Sequence, residues 1–144
     1  MPEVERTVTV DKSIEVVWDY LKDFRTTEEW DPPTVSTVRT SGDGGVGSTY
    51  HNVSKLLGSE QEVDYVVTDY VERERLQLKG EAGSIDLLDT ITFAIAPDGR
   101  TAVTYHAEFT LTGAAKLATP LMPAALKVLA DKVADSLEEH LRKL

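Results

Sequence analysis

The sequence predicts an α+β fold in which a curved antiparallel sheet closes over one long C-terminal helix. Three observations predict it. From Gly113 to Leu144 the apolar residues Leu126, Leu129, Ala130, Val133, Leu137 and Leu141 recur at steps of three and four, giving a helix with a single apolar stripe. The chain before it alternates apolar and polar residues with period two, the pattern of strands with one wet face. Successive strands are joined by short turns, which requires antiparallel pairing and leaves one dry face for the helix to cover.

Taken in order, Val4, Val8 and Val10 alternate with Glu3, Glu5, Thr7 and Thr9 in a first strand, and Arg6 is the exception on the apolar side. Asp11 and Ser13 offer caps to a short helix whose apolar positions are Ile14, Val17, Trp18 and Leu21. A second short helical segment runs from about Phe24 to Trp30 and is stopped by Asp31-Pro32-Pro33, because proline lacks the amide donor and restricts the residue before it. Six strands follow: Val35 to Thr40, Ser48 to Leu56, Glu60 to Val71, Arg75 to Gly80, Ile85 to Ile95 and Thr101 to Leu111. The glycine-rich Ser41 to Gly47 and the Pro97-Asp98-Gly99 sequence supply turns. Within 117–124 the apolar run carries Pro120 and Pro123, so the start of the last helix is expected to be kinked or separated there, a greasy first turn able to gate an entrance. No repeat or linker divides the chain, and 1–144 reads as a single domain.

Composition narrows the function classes. Twenty-five acidic against fifteen basic residues give a formal charge of −10, a field that repels phosphate backbones and makes nucleic acid a poor partner. No run approaches the length of apolar sequence needed to span a bilayer, so no integral membrane association is expected. With no cysteine there is neither a disulfide framework nor thiolate chemistry, and the charged N-terminus does not read as a signal peptide; a cytoplasmic location is the default expectation. Gly42, Gly44 and Gly47 match a dinucleotide-binding glycine pattern but lead into a strand, so no helix N-terminus stands ready for a pyrophosphate. His51, His106 and His140 lie on different elements without metal-ligand spacing, and no nucleophile elbow is present; neither metal nor cofactor is expected. Asn52-Val53-Ser54 spells a glycosylation sequon within a strand and is set aside.

Strand parity selects the inward side chains. Ile85, Leu87, Asp89, Ile91, Phe93 and Ile95 share one face of the sixth strand, and Val103, Tyr105, Ala107, Phe109 and Leu111 one face of the seventh. Val63, Tyr65 and Val67 do so on the fourth, while the third strand alternates poorly and leaves open whether Tyr50 or His51 points in. Asp89 is the informative residue. An ionised carboxylate on an apolar face is costly unless paired or hydrogen-bonded, so it is either a polar anchor or general base at a cavity wall, or a structural carboxylate bonded to a loop or helix end. Tyr65 and Tyr105 must likewise find partners for their hydroxyls.

The residues that set the element order resemble a known family: Val17-Trp18 and Leu21-Lys22-Asp23 in the first helix, Trp30 ahead of a proline, Gly47 to Tyr50, Gly99 to Tyr105, and Leu111-Thr112-Gly113. Together they look like the polyketide cyclase/dehydrase branch of the START-like (SRPBCC), pollen-allergen-like helix-grip superfamily. The resemblance covers essentially the whole chain. It implies a seven-stranded antiparallel sheet gripping the C-terminal helix, with two short helices after the first strand, around a cavity for a lipid, polyketide or other hydrophobic molecule. Trp30, Tyr50, Tyr65, Asp89, Tyr105, Phe109, Met122 and Leu126 are the expected ligand-binding set, Asp89 doubling as a catalytic base should the protein be an enzyme. Three functions follow: a binder of a small hydrophobic ligand, an aromatase- or cyclase-type enzyme using the same cavity, or an interaction module whose interior is filled. The binding class predicts a cavity above about 300 Å³ with Asp89 and a tyrosine on its wall; a collapsed interior points to the third.

Overall fold

The computed structural model describes residues 2–56, 58–113, 116–117, 120 and 122–144; the side chains of residues 56 and 122 lie outside the description. Strand β1 (Glu3–Val10) leads to α1 (Ile14–Leu21) and to a 3-10 turn (Phe24–Thr26) that runs into α2 (Thr27–Trp30). Then come β2 (Thr34–Ser41), β3 (Thr49–Leu56), β4 (Ser59–Val71), β5 (Arg75–Ala82), β6 (Ile85–Ile95), β7 (Thr101–Leu111) and α3 (Met122–Arg142). The seven strands form one sheet in the order β1-β7-β6-β5-β4-β3-β2, every neighbouring pair antiparallel. Consecutive strands from β2 to β7 are neighbours, as short turns require, and β1 closes the far edge against β7.

The helices start where side chains can satisfy their free amides. Ser13 Oγ accepts from the Val16 amide at 3.3 Å and Asp23 Oδ1 from the Arg25 amide at 3.1 Å. Trp18 pins α1 to the sheet: its indole stands edge-on to Phe93 at 5.1 Å and to Tyr70 at 5.2 Å. Tyr20 donates to Glu29 Oε1 at 2.8 Å and ties α1 to α2. Helix α3 lays Leu126, Ala130, Val133, Leu137 and Leu141 on the dry face, all of them buried, chiefly against β1. Arg6, the exception on the inward side of β1, reaches the edge of that contact and bonds Asp131 Oδ1 at 3.0 Å.

Two expectations change. The last helix begins at Met122 instead of near Gly113, and Pro123 sits in its first turn, where a missing amide donor costs nothing. The proposed greasy first turn within 117–124 and its gating role fall in part on residues 118–119 and 121, which lie outside the described residues. Ile95, expected to face inward, is 66% exposed because β6 runs past the edge of the core. The ambiguity on β3 resolves: Tyr50 is buried, and His51 faces outward between Asp64 at 2.9 Å and Glu62 at 3.2 Å.

Register shifts between Val67 and Asp69 on β4, and between Thr34 and Ser36 and between Arg39 and Ser41 on β2, mark irregular pairing that bends the sheet around the helix. Gly80 on β5 pairs with Tyr65 on β4, and a methyl group at that position would come within 2.6 Å of the Tyr65 ring. The absence of a side chain there lets the ring lie against the neighbouring strand.

Trp18→Ala removes the joint between α1 and the sheet, and a loss of about 3–5 kcal/mol is expected on urea denaturation. A loss under about 1 kcal/mol would mean that α1 is held by other contacts.

Candidate functional site

Between the sheet and α3 the interior is not closed solid. A cavity of about 40 Å³ is bounded by Phe24, Trp30, Tyr65, Leu87, Tyr105, Phe109, Leu129, Ala130 and Val133, together with the polar residues Thr27, Asp31, Ser54 and Asp89. That is room for about three water molecules. The expected volume above about 300 Å³ is therefore not met. Large side chains converging from α2, β4, β7 and α3 occupy the space that a wider pocket would leave empty.

Asp89 is only 4% exposed and stands across from Leu78 on β5 and Ala107 on β7. The Tyr105 hydroxyl donates to Asp89 Oδ1 at 3.4 Å, a long contact for an O–H···O bond. The Tyr65 hydroxyl lies close to the same carboxyl. Burial pushes the Asp89 carboxyl up to about 7, the charge of Asp31 adds to the rise, and the two phenols oppose it. Both tyrosine hydroxyls are driven well above their ordinary range, by burial first and then by the nearby Asp89 charge.

Asp31 is the residue that sequence reading missed. Its place before Pro32 predicts only a helix stop, whereas the proline also holds it extended, at φ −101° and ψ 101°, and it lines the same cavity as Asp89. As a whole residue it is half-buried; its carboxyl is nonetheless pushed up to about 6 by burial, against the hydrogen bond that Oδ2 accepts from Thr34 Oγ1 at 2.6 Å. Behind Thr34 runs a chain of buried polar groups. Asn52 Nδ2 donates to Thr34 Oγ1 at 3.3 Å and to Thr37 Oγ1 at 2.8 Å, Ser54 Oγ donates to Asn52 Oδ1 at 2.6 Å, and Thr27 and Thr37 share a hydroxyl contact at 2.7 Å. The signal was the poor alternation of β3: Asn52 and Ser54 share the inward parity of Tyr50.

The structure brings Trp30, Tyr65, Asp89, Tyr105 and Phe109 together on one cavity wall. Trp30 packs edge-on to Tyr105 at 5.9 Å, and its indole N–H is satisfied by Thr26 Oγ1 at 3.1 Å. Two other expected residues stand apart. Tyr50 is buried against Phe24, 5.6 Å between ring centres, and lines separate hollows beside Arg39 and beside Lys79. Leu126 is buried in the α3 interface but does not line the cavity. The side chain of Met122 lies outside the described residues.

On the outer face, strand pairing brings His106 beside Glu3 and Glu108, with one ligand atom of each within 4.8 Å of the others. Linear spacing could not show this, since β1 and β7 are far apart in sequence. The group is exposed to half-buried, a common arrangement where acidic strands pair, and it lies on the side of the sheet away from the cavity. Among the described residues no helix is long and apolar enough to cross a membrane.

A seven-stranded antiparallel sheet curled over a C-terminal helix, with two short helices after the first strand and a small mixed cavity beneath, defines the helix-grip class. The chain belongs to the family described as polyketide cyclase / dehydrase and lipid transport, whose model matches residues 1–142. Solved structures agree on the fold. A START superfamily protein from Mycobacterium smegmatis superposes with a TM-score of 0.82 at 14% identity, covering 98% of this chain and 97% of that one. The ZhuI aromatase/cyclase from Streptomyces sp. R1128 gives 0.80 at 16% identity, covering 96% and 92%. Ara h 8.0201 gives 0.69 at 14% identity, covering 99% of each chain. No curated protein sequence matches the chain.

The two raised carboxyls make a signed prediction. Each holds its proton to higher pH in the folded protein (about 7 for Asp89 and about 6 for Asp31) than at the ordinary value of 3.8. The stability they contribute is complete below that ordinary value and is lost as pH rises through 6 to 7. Asp89→Asn, which is neutral at every pH, is therefore expected to melt several degrees above the parent protein at alkaline pH and close to it at acid pH. Calorimetric melting of both proteins across that range checks it, and a constant difference would show that Asp89 ionises normally.

Proposed function

We propose that the chain binds a small hydrophobic or amphipathic molecule between the sheet and α3, with Trp30, Tyr65, Asp89, Tyr105 and Phe109 in contact with it. The observation that carries this reading is the carboxyl of Asp89, enclosed on the wall of a cavity with no lysine, arginine or histidine among the described residues that line it. A purely structural carboxylate would be expected to have a short, well-formed set of donors, and the 3.4 Å contact to Tyr105 is not one. The rest of the wall is aromatic and aliphatic, the composition of a site that takes an apolar body and orients it by a few polar groups. With only about 40 Å³ free, the ligand enters by displacing side chains on α3 and α2, so binding is coupled to a widening of the interior. The family description, which includes lipid transport, is in keeping with this class of ligand. A cytoplasmic setting belongs to the same reading.

A second reading is a cyclase-type enzyme working in the same cavity. One specific observation favours it: the Asp89 carboxyl, pushed up to about 7, is matched to the removal of a weakly acidic proton near neutral pH, with the Tyr65 and Tyr105 hydroxyls placed to polarise a carbonyl. The small free volume, by contrast, is what an interaction module with a filled interior would have.

Native mass spectrometry of the purified protein separates these readings. A co-purified mass is expected on the parent chain and is expected to vanish in Ala130→Phe, which fills the cavity from α3, while circular dichroism stays unchanged. A bound mass that persists in Ala130→Phe would place the ligand elsewhere, and no uptake of any apolar compound would leave the filled-interior reading. Conversion of the released compound by the parent chain, lost in Asp89→Asn, would establish the enzyme.

A further inference from the structure

We propose that the molecule held in this cavity carries a protonated amine on an apolar body, its ammonium group seated between Asp31 and Asp89 and its body against Trp30, Tyr65, Tyr105 and Phe109. This rests on the binding reading above and names the chemical class of its ligand.

The first support is the sign of the wall. Two carboxyls line the cavity, and among the described lining residues no cation answers them. Arg6 comes from the inward side of β1 and pairs across to Tyr105, but its guanidinium is committed to Asp131 Oδ1 at 3.0 Å and to the Glu5 carbonyl at 2.8 Å. Removing two acids from water with no positive partner is costly, and a bound ammonium supplies the missing charge.

The second support is unused acceptor capacity. A carboxylate offers about four lone-pair sites. Among the described residues Asp89 receives the Tyr105 phenol at 3.4 Å with Tyr65 close by, and Asp31 is served on Oδ2 by Thr34. An ammonium brings three donors and no acceptor, the complement of what these groups lack. A ligand hydroxyl brings one donor, and a ligand carboxylate brings none and meets repulsion.

The third support is the company the acids keep. Phe24, Trp30, Tyr65, Tyr105 and Phe109 surround the cavity, and ring faces attract a desolvated cation as well as an apolar chain. The present volume of about 40 Å³ admits an ammonium head with its first carbon atoms, so the charged end can dock before the body displaces the surrounding side chains.

Among the described residues, the titratable groups facing the bound head are Asp31 after α2, Tyr65 on β4, Asp89 on β6 and Tyr105 on β7, and β1 and α3 present Val4, Leu129, Ala130 and Val133. A proton released on binding must therefore come from the acid pair.

The test compares octylamine, 1-octanol and octanoate by isothermal titration calorimetry near neutral pH, in two buffers of different ionisation enthalpy. Octylamine is expected to bind about tenfold or more tightly than 1-octanol, with octanoate weakest, because a charge-assisted hydrogen bond outweighs a neutral one. Only the amine should release a proton. Asp89→Asn and Asp31→Asn, each checked for folding by circular dichroism, should each lower amine affinity by a larger factor than they change 1-octanol affinity, and should reduce the proton release. If 1-octanol binds as tightly as octylamine to the parent chain, the amine assignment falls and the binding reading stands. If none of the three binds and no mass co-purifies, both fall.

Discussion

A carboxyl group enclosed between sheet and helix, with no cation among the described residues that line its cavity, is the constraint around which the interior of this protein is arranged. Asp89 lies on the same face of β6 as Ile85, Leu87, Ile91 and Phe93, all buried. Its proton is held to about neutral pH because the charged form is badly solvated there, and Asp31 raises the cost further. A change at Asp31 is therefore felt at Asp89.

What keeps this arrangement compatible with a folded core is the placement of neutral donors. Tyr65 reaches Asp89 because Gly80, its partner on β5, leaves room for the ring; any Cβ there would meet ring carbons at 2.6 and 2.9 Å. Tyr105 is steadied by Trp30, whose own N–H is taken up by Thr26. Asp31 is oriented from the other side through Thr34, Asn52 and Ser54, so that β2 and β3 contribute hydroxyls and an amide where the rest of the dry face contributes methyl groups. The polar chain and the aromatic wall meet at the cavity.

Most of the fold was legible because it rests on periodicity. The stripe from Leu126 to Leu141 and the alternation of β4, β6 and β7 are repeated many times over, and one misfit does not erase them. Asp89 was legible for the same reason: a regular strand makes its exception conspicuous. Asp31 was not, since its position follows from a proline and a chain reversal, which fix where the side chain goes without leaving a periodic trace. The roles of Asn52 and Ser54 were hidden by the same irregularity that left Tyr50 and His51 unresolved, and the meeting of Glu3, His106 and Glu108 depends on pairing between the two ends of the chain. Volume was the least legible quantity. Knowing which side chains face inward does not say how far Trp30, Phe109 and Val133 advance into the middle.

Size and chemistry therefore pull in different directions, and the chemistry weighs more. A core selected only for stability gains by replacing an unpaired buried acid with an apolar residue of similar bulk, since the desolvation cost then disappears and the packing contacts remain. Leu78 and Ala107, the cross-strand partners of Asp89, would accept such a neighbour. Two acids in one small enclosure, loosely bonded on one side and braced by a polar chain on the other, are what the proposed donor would answer. On the binding reading proposed above, the aromatic rings and helix side chains that close over the two acids are exchanged for contacts with the incoming molecule. Binding of the kind proposed would draw its selectivity from the charge at the bottom and its affinity from the apolar surface displaced on the way in.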